Sequence, residues 1–568
     1  MNRNTFLRSL LLIFAALMLA ACGRDDAETA PDSATPGAAA SEATNLFERI
    51  DGDAVYVFAN LDTLPDDLVK VFWEPLEGMA DFNRKNYGMT ADRIQEDLPL
   101  AAALLREIAE ITSIEAFEAR GLDANGHWAL HAISIYPVMH WAVKDQQAFA
   151  ATLERVAADS GTELPRRSVD GEEIIWVDMG NFGAAIHHDD AFVTIGVIPD
   201  DGALLRRIAN LDQPTSAYNP RNLSSFNRDR GFTSYGSGYV DFGGLITRLL
   251  DADDPLTAAV RQRENLAEIA NNPACQAELG ALTSLMPRFS MGATRVDRRQ
   301  VTALGRLETN QELGNKLAGI ANTPVNLDTS GAGLISGALA FNLIAARDFG
   351  RELVGGWVDN PPECPLFSNI RDNAADWQLA LNRPIPPFVT NLQGFRFNMD
   401  RLVMDDTYQV QEAEGTLAVF MRNPQMLIGM AQMFSPELAE LNLSPGAEPQ
   451  ALPPGTIPNM PNLPAFLALS DGAIGLSVGE GYDARIRGAL EPGQSDSAIF
   501  SYGINMAEYG RFMEQMMGQA MADMDDDEYD MGSFDFMGKL GESYDESIFS
   551  ILLTPAGIDF VSSATLKQ

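Results

Sequence analysis

Two patterns of apolar and polar residues alternate along the first half of the chain. Short runs rich in β-branched and aromatic residues predict strands, because those side chains suit a pleated, half-buried surface. Longer segments with apolar residues three and four positions apart predict helices. The sequence thus predicts strands at 54–61, 127–135, 138–143, 173–177, 182–186, 191–198, 233–242 and within 289–307, and helices at 66–82, 98–111, 145–159, 200–211 and 243–250. This order predicts an α+β fold with mostly antiparallel β-sheet packed against helices.

The second half of the chain repeats the first half in the same order. Residues 111–117 match 389–395, and with the same offset of 278 residues 143–147 match 421–425. Further matches in order join 190–193 to 472–475, 234–236 to 501–503, 241–243 to 508–510, and 289–290 to 549–550. Because internal repetition is the sign of a duplicated architecture, we expect two tandem homologous halves, at 46–310 and 325–568.

Two stretches interrupt the second half. Residues 444–464 are rich in Pro, Gly and Asn, which predicts an inserted loop. Residues 513–535 combine methionines with a run of acidic residues whose alternation resembles a calcium loop. Glu528 stands where that loop needs glycine, and Phe534 stands where it needs a bidentate glutamate, so an EF-hand is excluded. We expect an acidic, methionine-rich insertion with its charges in solvent.

The N-terminus has the pattern of a bacterial lipoprotein leader. Basic residues precede an apolar run that ends in Leu19-Ala20-Ala21-Cys22, and this run is too short to span a bilayer as a permanent helix. The stretch resembles a lipoprotein signal peptide, which implies removal of 1–21 and lipidation of Cys22 with diacylglycerol and a palmitate-type acyl chain. Residues 22–45 have almost no large apolar side chain and are expected to form a flexible tether. Gly23 implies, by the same resemblance, a periplasm-facing position on the outer membrane of a Gram-negative envelope.

The charge balance restricts the partners. With 40 basic and 79 acidic residues, the 568-residue chain carries a formal charge of −39. Such a surface repels nucleic acids and anionic lipid headgroups. We expect no nucleic acid partner, and membrane attachment only through the lipid on Cys22.

The cysteine count predicts one disulfide. Once Cys22 is acylated, Cys275 and Cys364 remain as an even pair in an exported chain. A bond between them would join the end of the first half to the second half. Two separate buried thiols are the alternative.

Two histidines are weak candidates for a metal or acid–base site. Tyr136-Pro137 separates two strand-like runs, and a hairpin turn there would place His131 and His140 on one face as diagonal neighbours. No cysteine or carboxylate accompanies them at ligand spacing, so we expect no metal site. His187 and His188 are adjacent, should point to opposite faces, and are interpreted as turn residues.

No catalytic motif is present. Gly236-Ser237-Gly238 lacks the spacing and the strand-to-helix setting of a serine nucleophile elbow. Methionines between 506 and 524, mostly three or four apart, could hold copper(I), but an apolar packing face explains the same spacing. We expect neither a cofactor nor an enzymatic activity.

One resemblance extends over most of the body. Gly121-Leu122-Asp123, the run 135–138, Lys144-Asp145 and the helix through 153–155 resemble a family of uncharacterised bacterial envelope proteins that are large, duplicated α+β molecules. The resemblance implies a fold and no activity. We expect a non-catalytic binding or scaffolding lipoprotein whose partner is an envelope protein or an apolar ligand. The alternative is a carrier of an apolar envelope molecule, such as a lipid, which an elongated apolar cavity would favour. An enzyme is the third hypothesis.

Overall fold

The computed structural model describes residues 45–567 except for 79, 252, 264–265, 332, 406–409, 435, 458–462, 494–496 and 523–540. The chain divides into two compact units, Met1–Gly305 and Arg306–Gln568. Both units combine helices with antiparallel strands, so the predicted α+β fold is confirmed. The leader, Cys22, nearly all of the tether and most of the acidic insertion lie outside the described residues.

Among the described residues of the first unit, nine strands pair antiparallel in a sheet. The strands are β1 (Tyr56–Ala59), β2 (Trp128–Ile133), β3 (Tyr136–Ala142), β4 (Arg166–Val169), β5 (Glu172–Asp178), β6 (Gly183–His188), β7 (Phe192–Ile198), β8 (Ser237–Asp241) and β9 (Arg288–Val296). Their spatial order is β9-β8-β1-β2-β3-β7-β6-β5-β4. Strand β10 (Gln300–Glu308) contains the boundary between the units.

The helices of the first unit connect these strands. They are α1 (Asp66–Gly78), α2 (Ala80–Ile94), α3 (Pro99–Ala109), α4 (Ile114–Glu118), α5 (Gln146–Ser160), α6 (Gly202–Ile208), α7 (Pro220–Arg230), α8 (Phe242–Leu250), α9 (Ala258–Arg263), α10 (Ala267–Ala270) and α11 (Pro273–Leu285). The Asp201 carboxylate begins α6 by accepting hydrogen bonds from the amides of Ala203 and Leu204. Because Gly196 has no side chain, Ile208 of α6 can lie against β7, and the helix packs on this part of the sheet.

The predicted helix at 66–82 is wrong in its extent. The structure has α1 and then a second helix, α2, which continues to Ile94. The polar sequence of α2 gave no clear periodicity, and its helix is stabilised by tertiary packing: Ala91 and Ile94 are buried against Ala102 and Leu105 of α3.

The second unit also contains nine strands that pair antiparallel. They are β11 (Ile335–Ala340), β12 (Leu392–Met404), β13 (Val410–Met421), β14 (Gln450–Ala451), β15 (Ala465–Leu469), β16 (Ala473–Val478), β17 (Ala498–Asn505), β18 (Tyr544–Thr554) and β19 (Gly557–Leu566). Their spatial order is β19-β18-β17-β11-β12-β13-β16-β15-β14.

The helices of the second unit are named in chain order from the unit boundary. They are α12 (Gln311–Ala321), α13 (Leu343–Asp359), α14 (Ser368–Asn382), α15 (Pro387–Thr390), α16 (Pro424–Phe434), α17 (Pro436–Ala439), α18 (Tyr482–Ala489) and α19 (Met506–Ala522), with one 3-10 turn at Pro365–Phe367. Helix α18 packs on the sheet through Ile486, which is fully buried with Ala418, Ala473 and Phe420.

One of the sequence matches between the halves does not survive. Residues Ile114–Glu118 form a helix, whereas their proposed counterpart lies at the start of the strand Leu392–Met404. The match arose because a short apolar run with β-branched and aromatic residues fits either element, and helix or strand is then decided by tertiary packing.

Candidate functional site

The histidine pair lies on the β2–β3 hairpin, whose turn differs from the prediction. Ile133 pairs with Tyr136, so the turn is Ser134-Ile135 and Pro137 lies within β3. Ser134 has a φ of 55°, the left-handed conformation that a tight two-residue turn needs. Pro137 is tolerated because it lies near the start of β3, before the pairing with β7 begins at Val138. The turn shifts by two residues, which preserves the alternation of side chains.

His131 and His140 are consequently brought together, as diagonal neighbours on one face. Their Nε2 atoms are 3.0 Å apart, and the rings are nearly parallel. His140 Nδ1 lies 2.9 Å from the Thr194 hydroxyl, and His131 Nδ1 lies 3.3 Å from the Ala132 carbonyl oxygen. A carbonyl only accepts, so we assign the His131 proton to Nδ1. His140 Nε2 then donates to His131 Nε2, and the Thr194 hydroxyl donates to His140 Nδ1.

Burial and neighbouring cations keep both rings neutral. His131 and His140 are 0% and 3% exposed. Desolvation lowers the pKa of His131 to about 4, with a smaller contribution from Arg207. Desolvation also holds the pKa of His140 well below its ordinary value, and His131, Arg49 and Arg207 act in the same direction. A neutral, fully bonded and closed pair suits a structural role better than proton transfer.

Two arginines near the histidine pair disfavour its protonation, and each arginine has an acidic partner of its own. Arg49 forms an ion pair with Asp189 at 2.8 Å, and Arg207 forms one with Asp51 at 2.9 Å. Among the described residues, no group of three or more His, Cys, Asp or Glu side chains could hold a metal ion. The pair therefore offers two nitrogen atoms to a metal and no third ligand.

Two adjacent histidines lie two strands away from this pair in the same sheet. His187 and His188 are the last two residues of strand β6 and point to opposite faces. Because they pair with Thr194 and Val193 of β7, their interpretation as turn residues is wrong. His187 Nε2 lies 3.6 Å from the Glu172 carboxylate. The His188 ring packs edge-on against Phe149, and burial lowers its pKa.

The other candidates from the sequence are the cysteines, the methionines and the acidic run, and only some of them lie among the described residues. Cys275 and Cys364 are both fully buried and disulfide-bonded, which confirms the predicted bond. Met506 is buried at the start of α19. Cys22 and residues 523–535 lie outside the described residues.

A continuous row of large apolar side chains crosses one face of the second sheet. Each of eight neighbouring strands contributes one residue to it: Phe560, Ile551, Phe500, Leu339, Phe395, Val419, Ile474 and Leu469. Beside it on the same face runs a second row, Phe549, Tyr502, Gly337, Phe397, Leu417, Leu476 and Leu467. We call these two rows the apolar sheet face.

The apolar sheet face is partly open to solvent, although Leu469 at one end of the row is buried. Phe395, Leu417 and Phe560 are each 37% exposed, and most of the other members are half-buried. Helices α12 and α13 cover one end, where Ile320 of α12 and Phe349 of α13 pack with Leu553. The solvent side of an antiparallel sheet ordinarily carries polar residues. A contiguous exposed apolar surface is a candidate interaction site.

The opposite face of the same sheet carries small residues and is closed. Ser501, Ala338, Ala418 and Ala468 lie in one cross-strand row and are at most 4% exposed. The same row also contains Arg396, which is half-buried between Ala338 and Ala418. Gly475 in this row lets Ile486 of α18 approach closely. Most of the large apolar side chains of these strands therefore lie on the other side of the sheet, although Phe420 is buried on this side with Ile486.

A groove in the first unit has charged side chains in its lining. It has a volume of about 310 Å³ and lies between α2, α3 and α5. Its arginines are paired with carboxylates: Arg106 lies 3.1 Å from Asp159, and Arg155 lies 2.8 Å from Glu107. Since these guanidinium groups already have acidic partners, the groove provides little excess charge for a ligand.

Comparison with family models, with curated proteins and with solved structures finds no match for this chain. Within the described part of the chain, every helix is too short or too polar to cross a membrane. The candidate site therefore rests on geometry alone. The apolar sheet face was not predicted from the sequence, although strands 392–404 and 410–421 contain its signal, an alternation of large apolar residues with small or polar ones.

Proposed function

We propose that this chain is a non-catalytic binding protein whose second unit binds an apolar molecule on the apolar sheet face. The observation that carries the proposal is the row of eight large apolar residues, one from each neighbouring strand, on the open side of the sheet. Burial of such a surface by a ligand is favourable in proportion to the apolar area removed from water.

The dimensions and charge of the site indicate the kind of ligand. Eight strands at a spacing of about 4.8 Å give the row a length of about 34 Å, enough for a long alkyl chain. A single row of side chains suits a slender chain better than a broad protein surface. The formal charge of −39 disfavours an anionic headgroup, so we favour a neutral, lipid-like molecule.

Duplication is the origin we propose for the two units. In spatial order, β9-β8-β1-β2-β3-β7-β6 of the first unit and β18-β17-β11-β12-β13-β16-β15 of the second follow the same succession along the chain. The Val143 amide, directly after β3, donates to the Ala191 carbonyl, and the Met421 amide, at the last residue of β13, donates to the Gly472 carbonyl. These paired bonds support the sequence offset of 278 at this point.

The location we propose comes from the N-terminal sequence. Lipidation of Cys22 would anchor the protein to the outer membrane and leave its body in the periplasm. A binding protein for an apolar molecule has an evident use there, because such a molecule cannot cross the aqueous space between two membranes unaided.

Titration with the neutral apolar fluorophore N-phenyl-1-naphthylamine tests the proposal. We expect saturable binding that Phe395→Asp and Leu417→Asp each weaken by at least about tenfold, because a charge would enter the apolar row. Leu379→Asp is the matched control, since Leu379 is 66% exposed on α14 and outside the row. Equal binding by all four proteins would reject the site and leave the scaffolding role as the better hypothesis.

A further inference from the structure

Helix α16 of the second unit ends in the most exposed large apolar residues described in this chain. Met433 and Phe434 are 81% and 84% exposed, and Met430, one turn earlier, is 41% exposed. On the inner side, Ile428 is buried. Soluble proteins expose single apolar residues routinely, but two adjacent and fully projecting ones at a helix end are unusual.

The helix carries no charged residue. Its sequence from Pro424 to Phe434 is PQMLIGMAQMF, in a chain of which 21% of the residues are charged. A neutral helix can enter a lipid interface without the desolvation cost of a buried charge.

The end of the helix is held in place. The Gln432 side-chain amide donates to the carbonyl oxygens of Leu438 and Leu441, at 3.0 and 3.3 Å. Helix α17 follows from Pro436. Met433 and Phe434 are therefore presented on a fixed support.

The area and shape of this projection decide between its possible occupants. Two side chains of this size expose on the order of 300 Å², whereas a stable protein interface needs about 800 Å² from each partner. A projecting apolar tip needs a surface that yields to it, and a bilayer interface does so.

We propose that Met433 and Phe434 form a membrane-contacting tip that inserts into the interface of a lipid bilayer. The bilayer should be neutral, because the chain has a formal charge of −39 and Glu440 is exposed near the tip. The proposal does not depend on ligand binding at the apolar sheet face or on acylation of Cys22.

A fluorescent label on the tip tests this proposal in the full chain with Cys22→Ser. The disulfide leaves the introduced thiol of Met433→Cys as the reactive one, and an NBD group attached there reports insertion by a blue-shifted, brighter emission. The matched control is the same label at Leu379→Cys, on a helix that also carries Arg371, Asp372 and Asp376. The leader peptide is present in both proteins, so any vesicle binding that it causes is common to both.

With neutral phosphatidylcholine vesicles, we expect the emission of the label at 433 to shift and that at 379 to remain unchanged. Phe434→Asp in the labelled protein should raise the lipid concentration at half-saturation by at least about tenfold. Vesicles containing phosphatidylglycerol should bind less well. An unchanged label at 433, equal shifts at both positions, or a shift produced by protein concentration without vesicles would overturn the proposal, the last in favour of self-association.

Discussion

Lowering the pH should destabilise the first unit through the His131–His140 pair. Burial lowers the pKa of His131 from 6.5 to about 4. A tenfold change in proton affinity corresponds to about 1.4 kcal/mol. The lowered pKa of His131 therefore makes the free energy of unfolding about 3 kcal/mol larger at neutral pH than at low pH. The unfolded chain takes up a proton below pH 6.5, whereas the folded pair stays neutral until about pH 4. The stabilisation is therefore complete above pH 6.5 and is lost progressively as the pH falls towards 4.

Urea unfolding followed by tryptophan fluorescence measures this loss. Replacing Trp357 and Trp377 by Phe would leave only tryptophans of the first unit to report. In that background we expect the free energy of unfolding to fall by at least about 3 kcal/mol between pH 6.5 and pH 4, since His140 titrates in the same direction.

The control is the double variant His131→Gln/His140→Leu, in which neither side chain titrates. Its stability at neutral pH is expected to be lower, because Thr194 loses its acceptor, but its slope over this pH range should be much flatter. An unchanged slope in the double variant would refute the assignment of the acid sensitivity to these histidines.

Three further predictions concern an ion pair in the second unit, two glycines in the first unit, and the disulfide. Asp559→Ala should destabilise the second unit by about 3 kcal/mol, because Arg306 loses the carboxylate to which it donates two hydrogen bonds, at 2.6 and 2.7 Å. The double variant Asp559→Ala/Arg306→Leu should be destabilised less, and denaturant unfolding of both variants measures the difference. Gly238→Ala would place a methyl group against the Val57 carbonyl oxygen, so we expect loss of the folded first unit by circular dichroism, whereas Gly280→Ala on an open helix surface should stabilise by about 0.5 kcal/mol. The disulfide should be quantitative: thiol titration of denatured chain before and after reduction should differ by two thiols, and no difference would contradict it.

The hairpin shows what the alternation of side chains can and cannot fix. The apolar runs on either side of residue 135 were enough to predict two paired strands and to place His131 and His140 on one face. The turn was misplaced because Tyr136-Pro137 is a turn-forming dipeptide, whereas the structure uses Ser134 in a left-handed conformation. Moving the turn from 136–137 to 134–135 changes the residue that faces each position by an even number of residues. Strand side chains alternate with a period of two, so His131 and His140 stay on one face.

The candidate site could not be predicted for a different reason. Alternation shows that Phe395 and Phe397 share a side of β12, but it does not show whether helices cover that side. Large apolar residues are usually buried, which makes the covered side the natural expectation. Only the tertiary structure shows that α18 packs on the small residues instead. The uncharged helix 424–434 was visible in the sequence, but its exposure was not.

The measurement that tests the central proposal most directly is the mapping of a bound alkyl chain. A neutral lipid with a photoreactive diazirine on its alkyl chain would be irradiated with the protein, and the labelled peptides would be identified by mass spectrometry. The account predicts labels in β12, β13, β17 and β18, at or beside Phe395, Leu417, Tyr502 and Phe549, with competition by unlabelled lipid. Labelling confined to the first unit, or labelling that unlabelled lipid does not reduce, would contradict the proposed site.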